Sequence, residues 1–280
     1  MRWAGLLGCS METHILLFIV AVVATAINSV AGGGGLLTFP VLMTVLPPVT
    51  ADATSAVALL PAYMTSTWAG RKHLAPVRHW FWLLLGPSLL GSLIGALLLN
   101  WSGNRSFTTL IPWLILTATL LTLRPLLTRT AHSAHSCGPV APGEITAAPS
   151  GSLRIAAGVL LFFVAIYGGY FGAGIGILVI AAFDLIGLTD IHSILPLKNA
   201  LCGSLRAVAV IVFLIEGKVN WKCGLAMAGG ALLGGYLGGS VVRCMNPTLV
   251  RIGIVTLGFG IAAYYFLRIY GAGIHLVGSD

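Results

Sequence analysis

The sequence predicts an all-α polytopic membrane bundle, about eight hydrophobic segments in two repeated halves with glycine-broken helices. Three observations predict it. Of 280 residues, 58% are hydrophobic and 8% charged, 15 basic against 7 acidic, where a globular domain carries about 25% charge. Apolar blocks long enough to cross hydrocarbon, which takes ~20 residues, follow one another along the chain. Glycine clusters interrupt two of those blocks, Gly35 and Gly176 lying 141 residues apart. A soluble fold of this composition would expose apolar patches larger than monomers carry. Disorder, collagen and a disulfide scaffold are excluded as well.

The blocks run at about 14–47, 53–70, 79–100, 107–123, 154–187, 193–215, 221–242 and 247–270. The first and fifth exceed a single span, and glycines break them at Gly32 to Gly35 and at Gly168 to Gly176. Arg2 followed by an apolar run and Ala24-Thr25-Ala26 imitates a secretory signal, but the counterpart deep in the chain argues for a resident element. Gly35 lies 45 residues before Trp80, and Gly176 lies 45 before Trp221. Gly91-xxx-Gly95 and Gly234-xxx-Gly238 then follow in the same order, and both suit close helix packing. The reading is a first membrane repeat at 1–124, a connecting loop at 125–153 and a second repeat at 154–280. Internal duplication of this kind is typical of transporters that bind substrate between the halves.

Charge and cysteine usage narrow the function further. The net charge is +8, yet the basic residues are scattered in ones to threes, with no stripe for phosphates to track, so nucleic acid is not a partner. Cys9, Cys137, Cys202, Cys223 and Cys244 form no CxxC pair and read as core thiols. His132, His135 and Cys137 in the loop have a metal-like spacing but no fourth ligand, and no metal or other cofactor is expected. If each block crosses once, loops on the N-terminal side hold Arg2, Arg71, Lys72, Arg78, Arg124, Arg129, Arg154, Lys218, Lys222 and Arg268. The opposite loops hold Arg105, Arg243 and Arg251, which puts both termini in the cytoplasm. If the broken blocks are re-entrant hairpins, the tally falls to about eight against five and the halves become inverted repeats. Trp80 and Trp221, beside Arg78 and Lys222, read as interface anchors.

A helix broken inside hydrocarbon leaves backbone groups without partners, at several kcal/mol each, unless protein, water or substrate satisfies them. Glycine permits the break and a close approach of ligand to backbone. The segments that follow Gly35 and Gly176 would each present a helix N-terminus, and such ends attract anions. The alternative is that the glycines serve only a tight turn and close packing. Arg206 falls near the middle of its block, where a charge costs at least ~2.5 kcal/mol and marks function by default. Asn199 shares its helix face and Lys198 is adjacent. The candidate substrate-binding set is therefore Asn28, Gly33, Gly34, Gly35, Thr38, Gly172, Gly174, Gly176, Lys198, Asn199 and Arg206. Structural alternatives are that Lys198 snorkels to the interface and that Arg206 pairs with Asp184. Asp184 is the candidate for a coupling proton. Asp52, before Ala53-Thr54-Ser55, reads as a helix cap, with proton coupling as its other reading.

Ala31-Gly32-Gly33-Gly34-Gly35, Gly168-Gly169-Tyr170-Phe171-Gly172-Ala173-Gly174-Ile175-Gly176, Leu197-Lys198-Asn199-Ala200 and Val219-Asn220-Trp221 resemble the TauE/SafE sulfite-exporter-like family of membrane transporters. The resemblance spans almost the whole chain. It implies a multi-pass permease of the bacterial inner membrane that moves sulfite, sulfoacetate or another small sulfur-containing or organic anion. Direction is left open. Arg206 stands where this family commonly has a small polar residue, a departure that points to a more anionic or differently shaped substrate.

The expected partners are thus a small anion, the lipid bilayer and protons as a coupling ion. An anion channel would use the same helix ends. An intramembrane enzyme is the other class, but no HExxH, GxSxG or paired carboxylate is present.

Overall fold

The structure, a computed structural model, describes residues 11–127, 151–188, 191–241 and 247–267. Most of the expected connecting loop lies outside the described residues, with His132, His135 and Cys137, and so do Cys9 and Cys244. The described residues are almost entirely helical, with no strand among them. The first broken block is α1 (Met11–Ala31) and α2 (Gly34–Leu42), and α3 (Pro48–Ala69) follows. A short helix, α4 (Arg71–Leu74), leads to α5 (Arg78–Leu127), which bends at Gly103 (φ 63°, ψ 172°) and so accounts for two of the predicted blocks. The second broken block is α6 (Gly151–Tyr170) and α7 (Ile175–Leu185). The chain continues as α8 (Ile191–Ile215), α9 (Trp221–Val241) and α10 (Pro247–Phe266).

Among the described residues, large apolar side chains face outward, and three charged ones lie inside. Ile19, Leu90, Phe163 and Leu233 are exposed, whereas Asp52, Lys198 and Arg206 are buried, the reverse of a soluble protein. Among the described residues, Met11–Ser29, Arg71–Leu120 and Ser193–Ile215 contain helices long and apolar enough to cross a membrane. Some buried hydroxyls are satisfied within their own helices. Thr25 and Thr119 donate to the carbonyls of Ala21 and Ile115, one turn earlier, at 2.6 and 2.7 Å, as hydroxyls do where water is absent.

The GxxxG pairs fix how the helices interlock. A Cβ on Gly91 or Gly95 of α5 would run into the Phe162 or Ile166 carbonyl of α6. One on Gly234 or Gly238 of α9 would run into the Val22 or Ala26 carbonyl of α1. Each pair thus lets a helix from one part of the chain press on the backbone of a helix from the other. The remaining large contacts also cross between the parts: α3 with α8 and α9, and α5 with α8 and α10. Trp80 does not anchor an interface. It is buried in the packed interior although Arg78 and His79 before it are exposed, whereas Trp221 at the start of α9 is exposed.

Candidate functional site

The two helix breaks meet. In the first, Gly32 has φ 83° and its amide still bonds the Asn28 carbonyl at 3.1 Å. The chain then doubles back, so that Gly34 lies against Ala24 and Asn28 of α1. In the second, Gly172 (φ 66°) and Gly174 (φ 77°) reverse the chain between α6 and α7. The Tyr167 hydroxyl holds that turn by donating to the Ala173 carbonyl at 2.9 Å. A Cβ on Gly32 would sit 2.5 Å from the Gly176 carbonyl carbon, and one on Gly35 would sit 2.8 Å from Ala173 Cα. The backbones of the two turns are therefore in direct contact, with no side chain between them at these points. The helices begin slightly earlier than the glycine pattern suggests, α2 at Gly34 and α7 at Ile175.

Side chains complete much of the backbone bonding that the breaks forgo. The Asn28 side-chain oxygen accepts from the Gly34 amide at 3.3 Å, which caps the start of α2. At the other side of the same break, the Lys198 ammonium donates to the Asn28 and Ser29 carbonyls at 2.8 and 3.3 Å. Asn199 adds a bond to Ser29 at 3.3 Å. Lys198 therefore does not snorkel. It is fully buried, its charge set against the negative C-terminal end of α1. Thr38 shares a hydroxyl bond of 2.9 Å with Ser55, tying α2 to α3.

Replacing Lys198 with methionine keeps the stem and removes the donor. It is expected to take the charged donor from two buried carbonyls, which keep only the Gly32 amide and the Asn199 side chain as partners, at about 1.5–3 kcal/mol per lost bond. The measurable result is a lower unfolding temperature for the purified protein in detergent, and an unchanged temperature would show that other groups hold the break.

Arg206 occupies the second break. Its guanidinium lies against Gly172, where any Cβ would overlap it. Its Nη1 faces Asp52 Oδ2 of α3 at 3.9 Å, both side chains being at most 3% exposed. That separation is an ion pair but not a hydrogen bond. Neither Arg206 Nη1 nor Asp52 Oδ2 has a hydrogen-bond partner, and the Asn199 side-chain oxygen has none. Helix α8 thus supplies one cation to each break, Lys198 to the first and Arg206 to the second.

Of the candidate residues, Asn28, Gly33, Gly34, Gly35, Thr38, Gly172, Gly174, Gly176, Lys198, Asn199 and Arg206 are all buried at or beside the two breaks. Asp184 is exposed near the end of α7, and the carboxylate paired with Arg206 is Asp52 instead. Asp52 does not cap a helix either. The preceding Pro47-Pro48 starts α3 earlier, with Pro48 at its first position, as proline favours, so Asp52 lies one turn inside. Sequence reasoning also passed over Tyr167 and Ser55, whose roles depend on contacts with the turns. A carboxylate in an apolar block, needing a buried countercharge, was the available signal for Asp52.

Comparison with known proteins agrees with this architecture. The sulfite exporter TauE/SafE family matches residues 17–265. A Haemophilus influenzae protein named as a probable membrane transporter is 30% identical over 252 residues, 89% of this chain and 92% of its own. The probable membrane transporter YfcA of Escherichia coli is 27% identical, covering 95% of this chain and 94% of its own. Bacillus subtilis YunE, likewise named a probable membrane transporter, is 26% identical over 88% of this chain and 96% of its own. No solved structure matches. A match across nearly all of the helices and both breaks places the chain in the sulfite exporter TauE/SafE family, membrane transporters rather than enzymes.

Proposed function

We propose that this protein is a secondary transporter that binds a small sulfur-containing or organic oxyanion, such as sulfite or sulfoacetate, between the two helix breaks. The observation that carries the reading is Arg206, a buried cation with an unsatisfied N–H lying against a backbone turn that only glycine can form so close to it. A planar guanidinium suits oxyanions because two of its N–H groups meet two oxygens at once. The glycines put no side chain between the two turns and the guanidinium, and the starts of α2 and α7 add favourable dipole ends. The two parts of the chain act as repeats, with the site where their breaks touch. The setting is a bacterial inner membrane, in keeping with the bacterial sources of the relatives.

The test is counterflow. Proteoliposomes loaded with unlabelled sulfite are expected to take up external labelled sulfite transiently above its equilibrium level. A simple open pore shows no such overshoot. Flux that stays at the level of protein-free liposomes for sulfite, thiosulfate and sulfoacetate alike would remove the oxyanion reading.

A further inference from the structure

We propose that Asp52 carries the coupling proton: it rests on Arg206 as an internal anion, and the transported oxyanion takes that place as Asp52 takes up a proton. The proposal rests on the oxyanion-transport reading above and adds to it the identity of the coupling group.

Three charged side chains are buried among the described residues: Asp52, Lys198 and Arg206. Lys198 is committed to the α1 carbonyls, so Asp52 and Arg206 are left to balance each other. Their facing atoms stand 3.9 Å apart with no hydrogen bond on either. The pair is thus charge-matched but not locked by the paired short bonds that guanidinium and carboxylate can form. The other titratable neighbours are few. Tyr167 of α6 interacts electrostatically with both Asp52 and Arg206, and Tyr63 of α3 and Cys202 of α8 interact with Arg206. Helix α9 contributes the buried thiol Cys223, while α1, α2 and α5 bury no charged side chain among the described residues. Among the described residues, Asp52 is therefore the one buried carboxylate that can register whether Arg206 is occupied.

An oxyanion that seats on Arg206 leaves the Asp52 carboxylate without its countercharge in a water-poor interior. An isolated buried carboxylate neutralises in preference to staying ionised. Hydronium from the aqueous phase then gives its proton to Asp52 Oδ2: one O–H bond forms on the carboxylate, one breaks in the hydronium, and a water molecule is left in solution. When the anion leaves on the far side, Arg206 regains the carboxylate and the proton goes to water there. One proton accordingly moves with each anion and in the same direction. Asp184, exposed on α7, has no comparable tie to Arg206.

The experiment uses the full-length protein in liposomes with labelled sulfite and an internal pH-sensitive dye. With one proton per anion, an inward acid gradient of one pH unit is expected to drive about tenfold accumulation of the singly charged form, with acidification of the lumen. Asp52→Asn is expected to abolish both the accumulation and the dye signal, and to leave its sulfite exchange with no pH dependence beyond that of sulfite itself. Comparing the variant with wild type at each pH cancels the titration of sulfite itself. Gradient-driven accumulation that persists in Asp52→Asn would overturn the proposal, and so would a folded variant that exchanges nothing, since Asp52 would then only position Arg206. Wild-type flux without proton movement overturns it with no variant needed, and in all three cases the transport reading survives. Absence of wild-type sulfite flux at any pH falls on the transport reading itself, and the proposal goes with it.

Discussion

Replacing Arg206 with alanine is expected to weaken sulfite binding and counterflow by at least roughly 10- to 100-fold, the loss of a charge-assisted hydrogen bond worth about 1.5–3 kcal/mol. A second loss comes with it. Asp52 would remain buried and unpaired, and removing one partner of a buried ion pair costs about 3–5 kcal/mol of stability. The two effects separate in the double variant Arg206→Ala with Asp52→Asn, which removes both charges. Its unfolding temperature should return most of the way to that of wild type while transport stays lost. Arg206→Lys should fall between, since an ammonium keeps the charge but not the planar fork. Normal counterflow in a correctly inserted Arg206→Ala protein would exclude Arg206 from the binding site.

Gly32→Ala is expected to be almost as damaging, although the added group is one methyl. With φ at 83°, an L side chain costs roughly 1–2 kcal/mol in backbone strain alone. Its Cβ would also lie 2.5 Å from the Gly176 carbonyl carbon and 2.7 Å from the Ile177 nitrogen. Main-chain atoms cannot rotate away as a flexible side chain does, so the two turns would be forced apart. Loss of most sulfite counterflow and a lower unfolding temperature should follow. Gly86→Ala provides the control. A Cβ there meets nothing within 4 Å and sits in a helix, where alanine is favoured over glycine by about 0.5–1 kcal/mol. Equal behaviour of the two variants would mean that the contact between the turns carries no function.

Much of this architecture could be read from residue order because membrane helices announce themselves locally. Twenty apolar residues are a span whatever they pack against, and glycine clusters mark breaks because few other residues tolerate the turn. The eight blocks accordingly correspond to described helices. The merged α5 is the exception in form, since its two blocks are joined by the bend at Gly103. What stayed hidden depends on partners far away in sequence. Asp52 meets Arg206 across 154 positions, and Lys198 meets Asn28 across 170. Neither separation leaves a trace in local spacing. Asp184 and Asp52 are both single acids at the ends of apolar blocks, so only the packing of α3 against α8 tells them apart. Trp80 misled for a similar reason: a tryptophan beside an arginine marks an interface only if its helix face meets lipid, and this one faces protein.

The interlocking of α1 with α9 and of α5 with α6 has a consequence for biosynthesis. When the ribosome has finished only the N-terminal portion, the glycine-lined face of α5 and the face of α1 that receives the α9 glycines have no helix to rest on, and Asp52 has no guanidinium to meet. The nascent chain must hold that acid in the membrane until α8 emerges, about 150 residues later. An early-terminated product would keep it permanently orphaned, a natural mark for degradation by membrane quality-control proteases.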